Sequence, residues 1–337
     1  MTGTTGAIAR AIRTVRSHRS RLWLALALSL AATPAAAAEY SLGDHQMAVG
    51  GLGVYVTHAR DVLLDVARAY DLGFVQLMAA NPGVDPWVPG TGTRITLPTR
   101  YILPDAPHKG IVVNLAEWRL FYFPPGGGRV ETYPIGIGAI GDTTPLGVTS
   151  IVRKEANPTW YPPPSIRMTE PDLPVAIPPG PDNPLGAFAL HLGWPDYLIH
   201  GTNKPDGVGR NVSHGCIRLY AEDIERLFHA VRVGTPVRVV RQAVEAAWIG
   251  NILFVEVHPS KSQAEEIDNS AAVTPEIPGD LVARVSAAAG EHASLVDWDA
   301  VRQAGLQRTG VPVEVARLPP PETAMSDSAG GSPPQRR

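Results

Sequence analysis

Short runs of alternating apolar and polar residues, separated by Gly and Pro, fill the middle of the 337-residue chain. Such runs are typical of half-buried β-strands. They lie at residues 111–115, 119–123, 130–137, 148–153, 187–191 and 198–200. One helical period follows at 221–231, where Leu227, Phe228 and Val231 fall on one face. The pattern predicts a mainly β unit over residues 106–241, of the sandwich or barrel type, with one helix.

A different pattern precedes this unit, over residues 39–105. A short strand at 55–57 is followed by two helical stretches at 61–70 and 74–80, and a closing strand falls within 88–98. The order predicts a small strand-helix-helix-strand (βααβ) unit.

The rest of the chain is less regular. The many prolines between residues 158 and 184 predict an extended, irregular loop inside the β unit. A strand pattern at 252–257 and a helix pattern at 281–289 predict a small helix-and-strand subdomain over residues 242–316, packed on the β unit. Residues 317–337 are rich in Pro, Ser and Gly, which predicts a disordered tail.

The first 38 residues have the layout of a secretory signal peptide. Five arginines without an acidic residue precede an apolar stretch at 22–32, and small residues at 36–38 offer a cleavage site near Ala38. The alternative is an uncleaved N-terminal anchor. Loss of the five arginines changes the formal net charge from −3 to about −8, which does not favour nucleic-acid binding. We therefore expect an exported protein whose mature chain has no membrane span.

The only cysteine of the chain, Cys216, is the strongest candidate for chemistry. A single cysteine in an exported protein has no partner for an internal disulfide. His214 and Arg218 stand two residues away on either side, and nearby cations lower a thiol pKa and favour the nucleophilic thiolate. A buried apolar role or an intermolecular disulfide are the alternatives. The setting favours a nucleophile.

A second histidine, His200, ends an apolar run and precedes a loop rich in Gly and Pro at residues 203–211. A strand, this loop and a returning segment can bring His200 opposite Cys216. A cysteine nucleophile needs such a base to take the thiol proton and return it to a leaving amine.

These residues resemble a known family. The His-Gly-Thr at residues 200–202 and the Ser-His-Gly-Cys at 213–216 are similar to the active-site motif of L,D-transpeptidase (YkuD-type) catalytic domains of bacterial cell walls. The resemblance extends over about residues 108–241. It implies a YkuD-type β-sandwich with one helix after the nucleophile, no cofactor and no metal.

The resemblance also implies the chemistry. Cys216 would attack the carbonyl between diaminopimelate and the terminal D-alanine of a peptidoglycan tetrapeptide stem, with His200 as the base. Backbone N–H groups of Gly215 and Cys216 would bind the oxyanion. The acyl group would pass to the amine of another stem or to the lysine of an outer-membrane lipoprotein. Hydrolysis at the same site would instead give an L,D-carboxypeptidase or a lipoprotein-releasing amidase.

Further site residues are expected around this pair. His214 would orient the loop or the substrate carbonyl, with a purely structural role as the alternative. Ser213 would hydrogen-bond near His200, and Arg218 would bind a stem carboxylate or hold the pocket together. The remaining candidates for substrate contact are Thr202, from the motif, and the pocket walls His191, Trp160 and Tyr197, for which core packing is the alternative.

The first unit resembles a LysM domain, because Ala80-Asn81-Pro82 follows its second helix. That resemblance implies binding to the glycan strands of peptidoglycan in a periplasm. The alternative is a unit that only packs against the rest of the protein.

Two other classes of function remain for the whole protein: a catalytically inactive wall-binding protein, and a zinc site built from His191, His200, His214 and Cys216. The spacing of those four residues does not match a usual zinc pattern.

Overall fold

The computed structural model describes residues 38–139, 144–270 and 272–320. Of the expected signal peptide (1–38) and the expected disordered tail (317–337), residues 1–37 and 321–337 lie outside the described residues, whereas the structure assigns Ala38, at the expected cleavage site, and Arg317 to strands. No helix in the described ranges is both long and apolar enough to cross a membrane.

The N-terminal unit, residues 38–105, contains five strands and two helices. In chain order they are β1 (Ala38–Ser41), β2 (Ala48–Gly50), β3 (Gly53–Val56), α1 (Leu63–Ala69), α2 (Phe74–Ala79), β4 (Arg94–Leu97) and β5 (Arg100–Ile102). β3 pairs antiparallel with β4 around the two helices. The strand-helix-helix-strand order predicted from the sequence is therefore present.

The central unit, residues 106–241, carries most of the strands. They are β6 (Gly110–Asn114), β7 (Arg119–Phe123), β8 (Arg129–Pro134), β9 (Ile137–Gly138), β10 (Gly147–Ala156), β11 (Phe188–Leu192), β12 (Leu198–His200), β13 (Asn211–Ser213), β14 (Ile217–Arg218) and β15 (Pro236–Val240). Two helices accompany them, α3 (Pro164–Thr169) and α4 (Ala221–Ala230), with a 3₁₀ turn at Pro205–Gly207.

One large curled sheet dominates this unit. Its strand order is β1-β8-β7-β6-β15-β10-β11-β12-β14, and β9 pairs separately with β13. The mainly β fold class is confirmed, as is the helix after Cys216, which is α4. The irregular loop predicted over 158–184 is corrected in one place, because α3 lies inside it. Pro164 begins that helix, a position where its missing N–H costs nothing.

The N-terminal unit is not an independently packed domain. Leu63, Phe74 and Ile95 belong to the same apolar core as Ile111 and Ile199 of the central unit. β1 also joins the central sheet as its edge strand, through β8. The boundary that the sequence suggested at residue 105 marks a change of topology without a break in the core.

A buried arginine ties the two units together. Arg119 on β7 has no exposed surface, and its guanidinium donates to the backbone oxygen of Asp71 and to Oε1 of Gln76, both at 2.9 Å. The same guanidinium lies over the ring of Tyr101, 4.2 Å from its centroid. Removing these contacts would leave the buried charge with only the hydroxyl of Thr132 on β8 as a hydrogen-bond partner, so the central unit depends on the N-terminal one.

The C-terminal unit, residues 242–320, forms a three-stranded sheet with three helices. Its elements are β16 (Val244–Ile249), β17 (Ile252–Val257), α5 (Lys261–Asp268), α6 (Leu281–Ala289), α7 (Trp298–Gln307) and β18 (Val313–Arg317), with a 3₁₀ stretch at Gly290–Leu295. β17 lies between β16 and β18. β17 and α6 match the predicted elements, whereas β16, α5 and α7 were not predicted. The unit has an apolar core of its own, which includes Val255, Val285 and Val301.

Candidate active site

Two short parallel strands position the candidate nucleophile and base. β12 pairs with β14, with Ile199 opposite Ile217 and His200 opposite Arg218. Since side chains alternate along a strand, Ile199 and Ile217 point into the core, where both are fully buried. His200, Cys216 and Arg218 consequently face the other way, and all three line one cleft.

The cleft is large enough for a peptide. Its volume is about 1530 Å³, and its walls come from β10, β11, the α3 segment and the loop at residues 203–214. Trp160, His191 and Tyr197, which the sequence analysis proposed as pocket walls, lie along it. His214 and Ser213 also border it. The motif residues that are distant in sequence are thus brought to one concave surface.

His200 is a neutral base in this structure. Its Nδ1 lies 2.6 Å from the carbonyl oxygen of Gly201, so the Nδ1–H donates there and Nε2 keeps a lone pair. The side chain is buried, and burial, reinforced by the positive charge of Arg218, lowers the pKa of His200 to about 3. The hydrogen bond to Gly201 opposes that shift only in part. Nε2 is therefore free to accept a proton at any physiological pH.

Cys216 rests as a thiol, which differs from the expectation that nearby cations favour a thiolate. Its Sγ donates to the carbonyl oxygen of Asp196 at 3.5 Å. Burial raises the pKa of Cys216, and this outweighs the opposing effects of a backbone hydrogen bond from Leu198 and the charge of Arg218. His214, the other expected cation, is exposed. A nucleophilic role for Cys216 would therefore require this proton to leave first.

A tight turn at residues 213–216 presents the thiol. Gly215 has φ +99°, in the left-handed region that favours glycine, and its carbonyl accepts from the Thr144 hydroxyl at 2.8 Å. The hydroxyl of Ser213 donates to the carbonyl of Cys216 at 2.6 Å. Ser213 therefore closes the turn, where the sequence had suggested a hydrogen bond near His200.

Arg218 is a cation without an anionic partner among the described residues. Its Nε is buried and has no hydrogen-bond partner there, and burial lowers its pKa. Gly207 allows the close packing, because a Cβ at that position would lie 2.8 Å from Nη1 of Arg218. A desolvated guanidinium that faces a cleft is suited to bind a carboxylate.

The other predicted residues have distinct settings. His191 donates from Nε2 to Glu155 at 2.9 Å and accepts at Nδ1 from Arg153 at 3.2 Å, and burial lowers its pKa. The backbone of Trp160 pairs with that of Ile177, which holds the wall of the cleft.

Tyr197 and Thr202 complete the set. The ring of Tyr197 meets Trp194 edge to face. Thr202 does not line the cleft. Its buried hydroxyl accepts from the backbone N–H of Lys204 at 2.9 Å and so stabilises the loop after His200.

Sequence analysis missed several residues of the site. Asp196 and the Arg153–Glu155 pair touch Cys216 and His191 only through tertiary contacts, and no pattern in the sequence marks them. Thr144, which binds Gly215, stood out in the sequence only as part of a turn. Arg210, which lines the cleft, was also missed. It binds Asp268 of α5 at 2.9 Å and packs over Phe74 of α2.

The mainly β fold carries one large cleft that is lined by a half-buried cysteine and a buried histidine, an arrangement typical of an enzyme site. A family model described as the L,D-transpeptidase catalytic domain, YkuD, matches residues 108–239. The chain belongs to this L,D-transpeptidase family, as its relatives also show. The resemblance inferred from the motif is confirmed, and so is the expectation of an enzyme.

The relatives cover most of the chain. The probable L,D-transpeptidase YcfS of Escherichia coli is 41% identical over 261 residues, which are 75% of this chain and 79% of that relative. The probable L,D-transpeptidase ErfK/SrfK of the same species is 37% identical over 310 residues, 89% of this chain and 97% of that relative. Among solved structures, the catalytic domain of the Enterococcus faecium L,D-transpeptidase is 23% identical over 41% of this chain and 100% of that chain, with a TM-score of 0.32.

Proposed function

We propose that this enzyme acts on peptidoglycan tetrapeptide stems and transfers the acyl group through a thioester on Cys216. One observation carries the proposal: His200, Cys216 and Arg218 lie on the same face of the β12–β14 pair and line one cleft. The three supply a base, a nucleophile and a carboxylate-binding cation. These are the groups needed to exchange an amide next to a free carboxylate.

In the first half-reaction, Sγ of Cys216 attacks the carbonyl carbon of the bond between the L-centre of diaminopimelate and D-alanine. Nε2 of His200 takes the thiol proton as the new C–S bond forms. When the intermediate collapses, the C–N bond breaks, the same proton passes to the departing amine, and D-alanine leaves. The backbone N–H groups of Gly215 and Cys216 bind the oxyanion, and a donor of this kind contributes on the order of 3 kcal/mol.

In the second half-reaction, an amine attacks the thioester carbonyl while His200 accepts its proton and returns it to the Cys216 thiolate. The amine belongs to diaminopimelate of another stem or to the lysine of an outer-membrane lipoprotein. Both steps begin from neutral groups, which matches the protonated thiol and the neutral imidazole of the resting site. The other residues of the cleft have the following roles in this proposal. Arg218 binds the stem carboxylate, Trp160, His191 and Tyr197 contact the stem, and His214 orients the loop or the substrate.

The decisive test is mass spectrometry of a purified disaccharide-tetrapeptide incubated with the enzyme, with Cys216→Ser as the matched control. Release of D-alanine together with a dimer joined through two diaminopimelate residues supports transpeptidation. Tripeptide without dimer identifies hydrolysis, or a transferase whose acceptor is a lipoprotein lysine. Adding a lysine-terminated lipoprotein peptide distinguishes these two, because only a transferase forms the conjugate. Unchanged tetrapeptide contradicts the proposal.

The location and the N-terminal unit belong to the same proposal. We place the enzyme in a periplasm, with residues 1–38 removed as a signal peptide, and we assign glycan binding to the LysM-like N-terminal unit. The βααβ pairing of β3 with β4 supports that assignment. Cell fractionation with N-terminal sequencing tests the location. Cosedimentation of the Cys216→Ser protein with purified sacculi tests wall binding, and loss of it after digestion of the glycan is expected.

A further inference from the structure

Four ionisable side chains converge in the interior, away from the cleft. Glu117 lies in the turn between β6 and β7, Glu245 on β16, Glu256 on β17, and His258 directly after β17. Glu245 and Glu256 are register partners across the two strands, and His258 follows on the same face. All four are nearly inaccessible, with exposures of 1%, 4%, 0% and 2% in that order. Such a group is exceptional in a protein interior unless something neutralises it.

Each glutamate uses one oxygen and leaves the other without a partner. Nδ2 of Asn114 donates to Oε2 of Glu117 at 3.5 Å and to Oε1 of Glu245, while the backbone N–H of Ile102 donates to Oε2 of Glu256 at 2.9 Å. The second oxygens of the three carboxylates, and Nε2 of His258, are buried and have no hydrogen-bond partner among the described residues. Hydrogen bonds to the outer oxygens thus orient four unsatisfied atoms inward, as ligand-positioning contacts do around metals.

Three of the four residues, Glu117, Glu245 and His258, have ligand atoms close enough to share one ion, while Glu256 contacts His258. Nε2 of His258 is 3.2 Å from Oε2 of Glu245 and 3.4 Å from Oε1 of Glu256. Ligands on a tetrahedral ion with bonds near 2.1 Å are about 3.4 Å apart. Ligand atoms of Glu117, Glu245 and His258 all lie within 4.8 Å of one another. Within the described ranges no other group of three or more His, Cys, Asp or Glu side chains meets that criterion.

The charges of the cluster do not balance within the protein. Three carboxylates would carry three negative charges, and a protonated His258 would compensate one of them. The positive charge of Arg119 attracts Glu117, and that of Arg284 attracts Glu245. Neither guanidinium donates a hydrogen bond to a carboxylate of the cluster. A divalent cation would neutralise the carboxylates of Glu117 and Glu245 and occupy their unsatisfied oxygens together with the unsatisfied nitrogen of His258.

We propose that Glu117, Glu245 and His258 bind one divalent transition-metal ion where the central and C-terminal units meet, with Glu256 beside His258. One imidazole nitrogen and two carboxylate oxygens suit Zn²⁺ or Mn²⁺. Ca²⁺ is disfavoured, because it takes six to eight oxygen ligands. None of the four residues lines the catalytic cleft, so the ion is structural and independent of the proposed acyl transfer.

The ion would connect the C-terminal unit to the support of the active site. Glu117 precedes Trp118, and Nε1 of Trp118 donates to Oδ1 of Asn211 at 3.0 Å. Asn211 begins β13, the strand that leads to the turn at residues 213–216. Ile102, whose backbone N–H donates to Glu256, ends β5, the last strand of the N-terminal unit. The metal site thus links the central and C-terminal units, and the N-terminal unit contacts it through Glu256, at a point where no disulfide is available, since the chain has one cysteine.

The test uses the full processed enzyme, purified without chelator or affinity tags that bind metal. Elemental analysis is expected to find about one Zn²⁺ or Mn²⁺ per chain. Removal with dipicolinate should lower the Tm by at least about 5 °C, and Zn²⁺ or Mn²⁺, but not Ca²⁺, should restore it. A folded chain that carries no divalent ion and whose Tm does not respond to Zn²⁺ or Mn²⁺ would overturn the proposal.

Variants locate the ion. Glu245→Gln should lose the metal, whereas Glu131→Gln, which alters a buried glutamate on β8 outside the cluster, should retain it. Cys216→Ser should also retain it, because the cleft is not the site. Metal that is lost from Cys216→Ser but kept by Glu245→Gln would contradict the assignment. If Glu245→Gln does not fold, removal and readdition of metal with the wild-type chain decides the question alone.

Discussion

His200 and Arg218 are register partners across the parallel β12–β14 pair, so a partly buried cation lies beside the proposed base. The charge of Arg218 helps to lower the pKa of His200, and it also opposes the rise in the pKa of Cys216 caused by burial. One arginine therefore favours the reactive form of both groups: the neutral base and the ionised thiol. This relationship leads to the first two predictions.

The pH profile should lack the acid limb of an ordinary histidine. Because the pKa of His200 is about 3, the base stays unprotonated between pH 7 and 5, and kcat/KM for D-alanine release should hardly change over that range. An acid limb with a midpoint near 6.5 would contradict this.

The free energy of unfolding should depend on pH in a different way from kcat/KM. The unfolded chain protonates this histidine near pH 6.5 and the folded chain does not until about 3, so His200 destabilises the fold as the pH falls through that window.

Arg218→Gln should raise the pKa of both His200 and Cys216. Alkylation of the free enzyme by iodoacetamide then needs a higher pH than in the wild type, because the thiolate is the reactive species. Loss of the charge-assisted bond to the stem carboxylate should also lower kcat/KM by about 10- to 100-fold. Arg218→Lys is the matched control, because it keeps the charge but loses the bidentate fork. An alkylation profile of Arg218→Gln that matches the wild type would show that the charge does not act on the thiol.

Substitution of the two central residues should separate chemistry from folding. Cys216→Ala and Cys216→Ser are expected to abolish D-alanine release, and His200→Ala should lose at least about 100-fold in kcat. The circular dichroism spectrum and Tm serve as controls for folding. Appreciable turnover by the alanine variant at residue 216 would exclude the proposed nucleophile.

The contact between the N-terminal unit and the rim of the cleft depends on two glycines. The backbone of Val75 donates to the carbonyl of Gly209 at 3.2 Å, and a Cβ on Gly73 would lie 2.8 Å from the Cα of Gly209. Gly209 itself has φ +78°, and a Cβ there would overlap the backbone of Gly73 and Phe74. The close approach of two backbones leaves no room for a side chain.

Gly209→Ala should therefore destabilise the enzyme by about 2–4 kcal/mol in chemical denaturation, since overlap adds to the cost of the left-handed conformation. Gly83→Ala is the control. Gly83 has a similar φ of +81°, but a Cβ there would meet nothing within 4 Å, so only the conformational cost of about 1 kcal/mol remains. Equal effects of the two substitutions would show that the contact between the units contributes little.

Deletion of residues 38–105 should prevent the central unit from folding. Leu63, Phe74 and Ile95 lie in the shared core, and the buried Arg119 would lose its partners on Asp71 and Gln76. The expected result is insoluble protein, or a chain without a cooperative unfolding transition. A truncated enzyme that still releases D-alanine from soluble stems would show that the two units are separable.

Local patterns in the sequence predicted much of this protein. Alternating runs marked the strands of the central unit, the helical period marked α4, and the strand-helix-helix-strand order of the N-terminal unit was visible in advance. The cysteine with its motif identified the family and the candidate pair, because a nucleophile, a base and the turn glycine between Ser213 and Cys216 are encoded close together. These features depend on neighbouring residues, which the sequence displays directly.

Only the tertiary structure decided how these parts act on one another. Burial sets the pKa of His200 and Cys216, and burial arises from segments far apart in the chain. The shared core of the first two units, and the convergence of Glu117 with Glu245, Glu256 and His258, also join residues more than a hundred positions apart. The spacing of residues along the sequence does not indicate such contacts. They exist because the folded sheet brings distant, individually unremarkable positions within a few ångströms of one another.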